Sequence, residues 1–272
     1  MKYLMLLLLM FWASLVVGQV SVNTMSLYED SLIILIKEEI RLDSLNDIHD
    51  TMITENNVPG FDSVFQDVLC MEEAWGYTFD RLKEFFPLKI FYSEDNKLRV
   101  MAQSDGVQGA VYGSTYAYYW TKEGRIATQE LPMFIISNTD SLFIEGAGVT
   151  DSLFNIEVND TNCYLLLRYF KDYDIGKFYS AQIWAFKNDS LIKKECFSKP
   201  KEFDYVSAIS GDLVIRVRKQ FPVNLNYNLN NKMLSHNKFE NIAAKWGDVY
   251  FKPNGEVEYY NLINGKFVKV SK

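Results

Sequence analysis

The chain has 272 residues, 48% of them hydrophobic and 15% aromatic. That is ample for a sizeable core and favours strands, because flat rings pack well on a pleated, half-buried surface. The formal net charge of −7 excludes a protein that tracks nucleic-acid phosphates, which needs a basic stripe to displace counterions.

Residues 1–18 read as a secretory signal. Lys2 supplies the positive start, Tyr3 to Phe11 opens an apolar run, and Val16-Val17-Gly18 before Gln19 offers a small-residue cleavage site. The run is short for a bilayer span, so cleavage is expected rather than anchoring. No cysteine follows the cut to carry a lipid, and no second long apolar stretch occurs downstream. The expected location is therefore secreted or periplasmic, with no membrane span after cleavage.

Residues 19–87 form a helical N-terminal region expected to pack on the sheet that follows. Ser26 and Glu29 fit a capping box, and Leu32, Leu35, Ile36 and Ile40 then recur on one face. That face continues less cleanly through Leu45, Ile48 and Met52, and Val58-Pro59-Gly60 stops the helix. Asp62 reads as the N-cap of a second helix carrying Val64, Phe65, Val68 and Leu69. A short third helix is expected around Asp80–Phe85, ending before Pro87.

At Leu88 the period switches to two, and residues 88–272 read as an antiparallel β domain. Leu88–Tyr92 and Lys97–Gln103 pair through Glu94-Asp95-Asn96. An aromatic strand, Val111–Trp120, turns at Lys122-Glu123-Gly124 into Arg125–Leu131. Further strands are expected at 133–137, 141–145, 152–158, 163–170, 178–187, 190–197, 203–208 and 212–218, with Asn188-Asp189 joining two of them. The Asn-rich stretch from Asn224 to Asn237 reads equally as a polar strand or an ordered loop. Three last strands, 248–252, 256–262 and 266–270, are expected to be joined by Asn254-Gly255 and Asn264-Gly265, the strongest short hairpin signal. The recurring Asp-Ser-Leu at 30–32, 43–45, 140–142, 151–153 and 189–191 has no fixed period and reads as punctuation at caps and turns. The fold class is α+β: short N-terminal helices, then a predominantly antiparallel meander built as a barrel, sandwich or propeller-like array.

Catalytic signals are sparse. His49 and His236 are the two histidines, and neither sits in a nucleophile motif or in His-Glu-x-x-His zinc spacing, so each is expected to be a surface or half-buried residue. No catalytic residue, metal site or cofactor is assigned. Asp172-Tyr173-Asp174-Ile175-Gly176 opens like a calcium loop, but its twelfth position is Ile183, so a hairpin turn is the better reading. Gly106, Gly109 and Gly113 lack phosphate-loop spacing and read as turn and bulge chemistry. Cys163 and Cys196 stand in strand segments where they either pair or serve as small buried hydrophobes, and Cys70 stands apart. The best candidate surface is the aromatic strand: Tyr116, Tyr118 and Trp120 share one face, suited to stacking on a sugar ring or a partner, and Tyr119 takes the other.

Several segments carry a resemblance: Asp95-Asn96-Lys97-Leu98-Arg99-Val100, Ser104-Asp105-Gly106 with Gly109, Phe178 to Lys187, and Ile263-Asn264-Gly265-Lys266-Phe267-Val268. Across about 88–270 the chain resembles a group of exported, mostly-β proteins of Gram-negative bacteria with no established activity. The resemblance implies architecture and compartment and transfers no functional residue. The expected function is a non-catalytic binding or structural module of the bacterial envelope, with envelope glycan or protein as partner. The alternative is a periplasmic hydrolase that cuts glycan or peptidoglycan with a carboxylate pair.

Overall fold

The computed structural model describes residues 22–46, 60–104, 113–136, 143–146, 148–172, 176–197, 206–209, 211–217, 220–243 and 249–271. The signal segment, His49 and the Gly106–Gly109 loop lie outside these residues. The chain divides into two compact units, 1–88 and 89–272. The protein is α+β: helices on the N-terminal side, then β-rich antiparallel sheet.

The first unit contains helices α1 (Val22–Asn46) and α2 (Phe61–Leu69) and two single 3-10 turns, Glu72–Ala74 and Leu82–Glu84. Helix α1 begins upstream of Ser26, so the expected capping box does not form. Glu29 is instead buried and accepts hydrogen bonds from Leu82 N at 2.9 Å, Tyr77 Oη at 2.7 Å and Arg81 Nε at 3.2 Å. One carboxylate thus ties α1 to the later turns, which is a stronger demand on it than capping. Gly60, not Asp62, is the N-cap of α2, and Asp62 sits in the first turn, where its negative charge is favoured by the positive end of the helix dipole. The third helix shrinks to the turn at Leu82. The apolar centre is a set of edge-packed rings, Phe61, Phe65, Phe79 and Phe86. Phe79 holds a φ of 51° to bring its buried ring onto Phe65, a strained conformation sustained by that packing.

The second unit is built from stacked sheets. The first sheet is a meander of β1 (Leu88–Tyr92), β2 (Leu98–Gln103), β3 (Thr115–Trp120) and β4 (Ile126–Glu130). A two-stranded ribbon follows, β5 (Met133–Ile136) and β6 (Phe143–Gly146). The central sheet holds β7 (Val149–Val158), β8 (Thr161–Asp172), β9 (Gly176–Lys187), β10 (Ser190–Lys194), β11 (Val206–Ile209) and β12 (Asp212–Val217). The last sheet is β13 (Asn226–Asn228), β14 (Met233–Ala243), β15 (Val249–Ile263) and β16 (Lys266–Val270). Strand β9 is the axis: one side pairs with β8, and the other pairs with β12 over its first half and β10 over its second.

Both faces of the central sheet are buried. Cys163, Leu165, Leu167, Ile183, Leu213 and Ile215 face the last sheet and pack with Tyr227, Leu234, Tyr260 and Phe267. The alternate residues Tyr164, Leu166 and Trp184 face the first sheet and pack with Leu98, Val100, Ala117 and Tyr119. Continuous apolar runs such as Leu165-Leu166-Leu167 follow from this, since a strand covered on both sides has no solvent face to keep polar. Cys163 and Cys196 are buried as free thiols in this core, and Cys70 is exposed.

The turns obey residue chemistry. Asn188-Asp189 (φ 50° and 63°), Asn264-Gly265 (48° and 74°) and Asn159-Asp160 (50° and 58°) form two-residue hairpins with both residues left-handed. Asn254-Gly255 does not. Strand β15 runs straight through it, and Asn254, Gly255 and Glu256 bulge out where the register jumps from Asn237↔Val257 to Phe239↔Pro253. The reason is β14, which is long enough to template both halves of β15; a hairpin there would strip half of β14 of its partner. The Asp-Ser-Leu reading divides similarly. Asp189 turns and Asp151 occupies a register shift in β7, but the copies at 30–32 and 43–45 lie inside α1.

On its first-sheet face the central sheet carries one buried polar network. Arg168, 1% exposed, donates to the carbonyls of Pro132 at 2.7 Å and Gly148 at 2.6 Å and to Gln182 Oε1 at 3.0 Å. Gln182 Nε2 donates to Pro132 O and to Asp212 Oδ2. Burial lowers the Arg168 pKa, yet a guanidinium stays charged at neutral pH. Arg168→Leu takes a charged donor from all three acceptors and removes a buried cation from beside Asp212. Denaturant unfolding should register a loss of about 3–5 kcal/mol; a loss under about 1 kcal/mol would mean the network is dispensable.

Candidate functional site

The described residues enclose a cleft of about 250 Å³ between one end of the central sheet and the last sheet. Asn155, Ile156 and Glu157 of β7 and Asn162 of β8 form one wall; Tyr227 of β13, Leu229, Lys232 and Leu262 of β15 form the other. Local chemistry sets each wall. The Asn159-Asp160 hairpin brings β7 and β8 together at the cleft, and Gly265 packs so closely on Asn159 that a Cβ there would collide with it. Opposite, the Asn-rich stretch is an ordered turn: Asn228 Oδ1 accepts from the amides of Asn230 at 2.9 Å and Asn231 at 3.3 Å, and Asn231 Oδ1 accepts from Met233 N. These side chains replace backbone turn bonds and project Leu229 and Lys232 over Tyr227.

The Tyr227 ring forms the floor, 5.4 Å from the Phe154 ring and 6.4 Å from that of Phe267. The two wall amides are held by the β1–β2 turn: Asn155 Oδ1 accepts from Glu94 N at 2.8 Å, and Asn162 Nδ2 donates to Asp95 Oδ2 at 2.9 Å. Asp95 also accepts from Tyr164 Oη and Ser93 Oγ. Burial raises the Asp95 pKa, but the bonds from Ser93, Tyr164, Lys97 N and Asn155 outweigh it and hold the carboxyl below its ordinary value. Asp95 is thus a fixed anion serving the wall. Glu157 is the one carboxylate among the lining residues and Lys232 the one ammonium. Such a lining holds an apolar ring face and satisfies hydroxyl or amide groups at its edge.

A second constellation sits in the last sheet. His236 is fully buried, against the expectation of a surface or half-buried position, because it lies on the inner face of β14 with Leu234. Its Nδ1 donates to the Asn237 carbonyl at 2.6 Å, and its Nε2 lies 3.2 Å from Tyr260 Oη, which donates to Glu258 Oε2. Glu258 Oε1 accepts from Lys269 at 2.6 Å. Burial lowers the His236 pKa, opposed by the Asn237 bond and by Glu258.

Tyr116, Tyr118 and Trp120 do share one face of β3, with Ala117 and Tyr119 turned to the core. Tyr118 is fully buried with the Arg99 guanidinium 4.9 Å from its ring centre, and Tyr116 and Trp120 are half-buried. Tyr118 therefore offers no accessible ring, and the structure does not bring this row to the cleft lining. The cleft residues escaped notice in the sequence because they come from four separated segments; the asparagine density at 224–237 was their one visible trace. Among the described residues no group of three or more His, Cys, Asp and Glu is placed to hold a metal ion, and no helix is long and apolar enough to cross a membrane.

Comparison of the chain with known protein families, with characterised proteins and with solved structures finds no match.

Two measurements follow from these environments. Tyr118→Ala should lower unfolding free energy by about 3–5 kcal/mol, whereas Trp120→Ala should cost clearly less; equal losses would place Trp120 in the core too. For His236, a lowered folded pKa means the unfolded chain takes up a proton first as pH falls below about 6.5. Stability should therefore decline on acidification from that pH towards the folded pKa, and His236→Asn should flatten this part of the profile. A profile unchanged by the substitution rules out His236 as its source.

Proposed function

We propose that this chain is an exported, non-catalytic binding protein of the bacterial envelope that holds a neutral glycan segment in the cleft over Tyr227. The observation that carries this reading is the lining itself. An aromatic and aliphatic lining (Tyr227, Leu229, Leu262, Ile156) is bordered by polar residues of β7 and β8 and carries one charge of each sign. Sugars present an apolar ring face with hydroxyls at its edge, and a buried ring beside charged rim groups matches both. Export is supported by the Lys2–Gly18 pattern and by the resemblance to exported mostly-β proteins. A hydrolase working through two carboxylates needs a second acid about 5–10 Å from the first, and Glu157 has no second carboxylate beside it in this lining.

The test is retention on an array of envelope glycans, peptidoglycan fragments included. Leu229 is 48% exposed and Glu157 lies at the surface, so Leu229→Ala and Glu157→Gln should leave thermal stability unchanged. Each should weaken retention by about tenfold, or about 1.4 kcal/mol. Wild-type protein that retains no glycan, or variants that bind as well as wild type, would remove the reading. Release of cleaved sugar would favour the hydrolase.

A further inference from the structure

We propose that Lys193 and Asp212 react with one another to form an intramolecular isopeptide bond joining β10 to β12. Both strands pair with β9, over its second and first halves respectively. Their side chains meet across that junction on the face that carries Arg168 and Gln182. Lys193 Nζ stands 3.2 Å from Asp212 Oδ2, with side-chain exposures of 19% and 0%. A lysine and an acid held this close inside a fold need no encounter step, and such fixed pairs reach very high effective concentrations.

The surroundings favour condensation over a lasting ion pair. Gln182 Nε2 donates to the same Oδ2 at 2.9 Å, so it draws electron density from the carboxyl carbon and is placed to stabilise the oxyanion formed on attack. The positive charge of Arg168 acts on the same carboxyl. Asp212 Oδ1, the oxygen that would leave, has no hydrogen-bond partner among the described residues. Trp184 lies opposite Lys193 in the strand register, and Leu191, Leu166 and Tyr164 pack around it in an apolar cluster. Burial pushes the Asp212 carboxyl up to about 6, against the lowering effects of Lys193, Gln182 and Arg168. The carboxylic acid is therefore reached with little expense.

The reaction balances within the pair. The ammonium passes one proton to the carboxylate, leaving an amine and an acid. The amine lone pair forms the Nζ–Cγ bond, one C–O bond breaks, and that oxygen departs with two hydrogens as water. Nothing is oxidised or reduced and no co-reactant enters.

The experiment is an intact-mass measurement on the purified, denatured full protein, referred to its determined N-terminus, followed by fragment sequencing of a digest. The expected result is a mass lower than the sequence by one water, with the Lys193 peptide joined to the Asp212 peptide. Lys193→Arg keeps a cation beside Asp212 but lacks a nucleophilic amine, and should show the full mass. A wild-type protein at full mass overturns the proposal. So does a one-water deficit that maps to another peptide or persists in Lys193→Arg.

Discussion

Burying a sheet on both faces is the constraint from which most of this structure follows. A strand covered on one side can leave its alternate residues polar, but β8 and β9 have no such freedom. Where the sequence still places polar groups in them, each must find its partners inside. Arg168 is the clearest case. Its guanidinium reaches two carbonyls, those of Pro132 and Gly148, from the segments flanking the β5–β6 ribbon. Gln182 shares the Pro132 carbonyl and Thr115 the Gly148 carbonyl, so each acceptor meets two donors. A charged side chain thus stitches irregular backbone to a regular sheet, a task that a fan of five N–H donors performs better than any neutral group.

The same layering makes the cleft. At the end where β7 turns into β8 at Asn159-Asp160, Tyr227, Ile156 and Leu262 line it. Polar groups then take over, and they are held from behind. Asp95, in the turn of the first sheet, accepts from Asn162 and from Tyr164, so one carboxylate connects the wall to the apolar cluster beneath it. The wall is thus fixed from the turn of the first sheet.

Much of this was legible in the residues and some was not, for identifiable reasons. The switch at Leu88 from helical to alternating period, and most strands after it, follow from local pattern. So do the Asn188-Asp189 and Asn264-Gly265 hairpins, because positive φ at both turn residues is a local demand. Asn254-Gly255 carried the same signal and became a bulge, since the eleven residues of β14 impose a non-local template on β15. Glu29 looked like a cap residue but serves Leu82, Tyr77 and Arg81, partners about fifty positions away. The row Tyr116, Tyr118 and Trp120 was read correctly as sharing a face, but alternation says only which residues share a face, not whether it is open to solvent. The cleft was invisible because its lining is assembled from segments that touch only in the folded chain.

Among the described residues several acids serve the fold itself, Glu29, Asp95, Asp212 and Glu258 among them. Each meets structural donors: Leu82 N and Tyr77 for Glu29, Ser93 and Tyr164 for Asp95, Gln182 and Lys193 for Asp212, Lys269 for Glu258. A general acid needs a raised pKa and access to substrate together. Asp212 has the raised pKa but is enclosed beneath two sheets; Glu157 has the access, at a rim where water screens it. Asp212 thus combines a raised pKa with full enclosure, and Gln182 and Lys193 hold it in place.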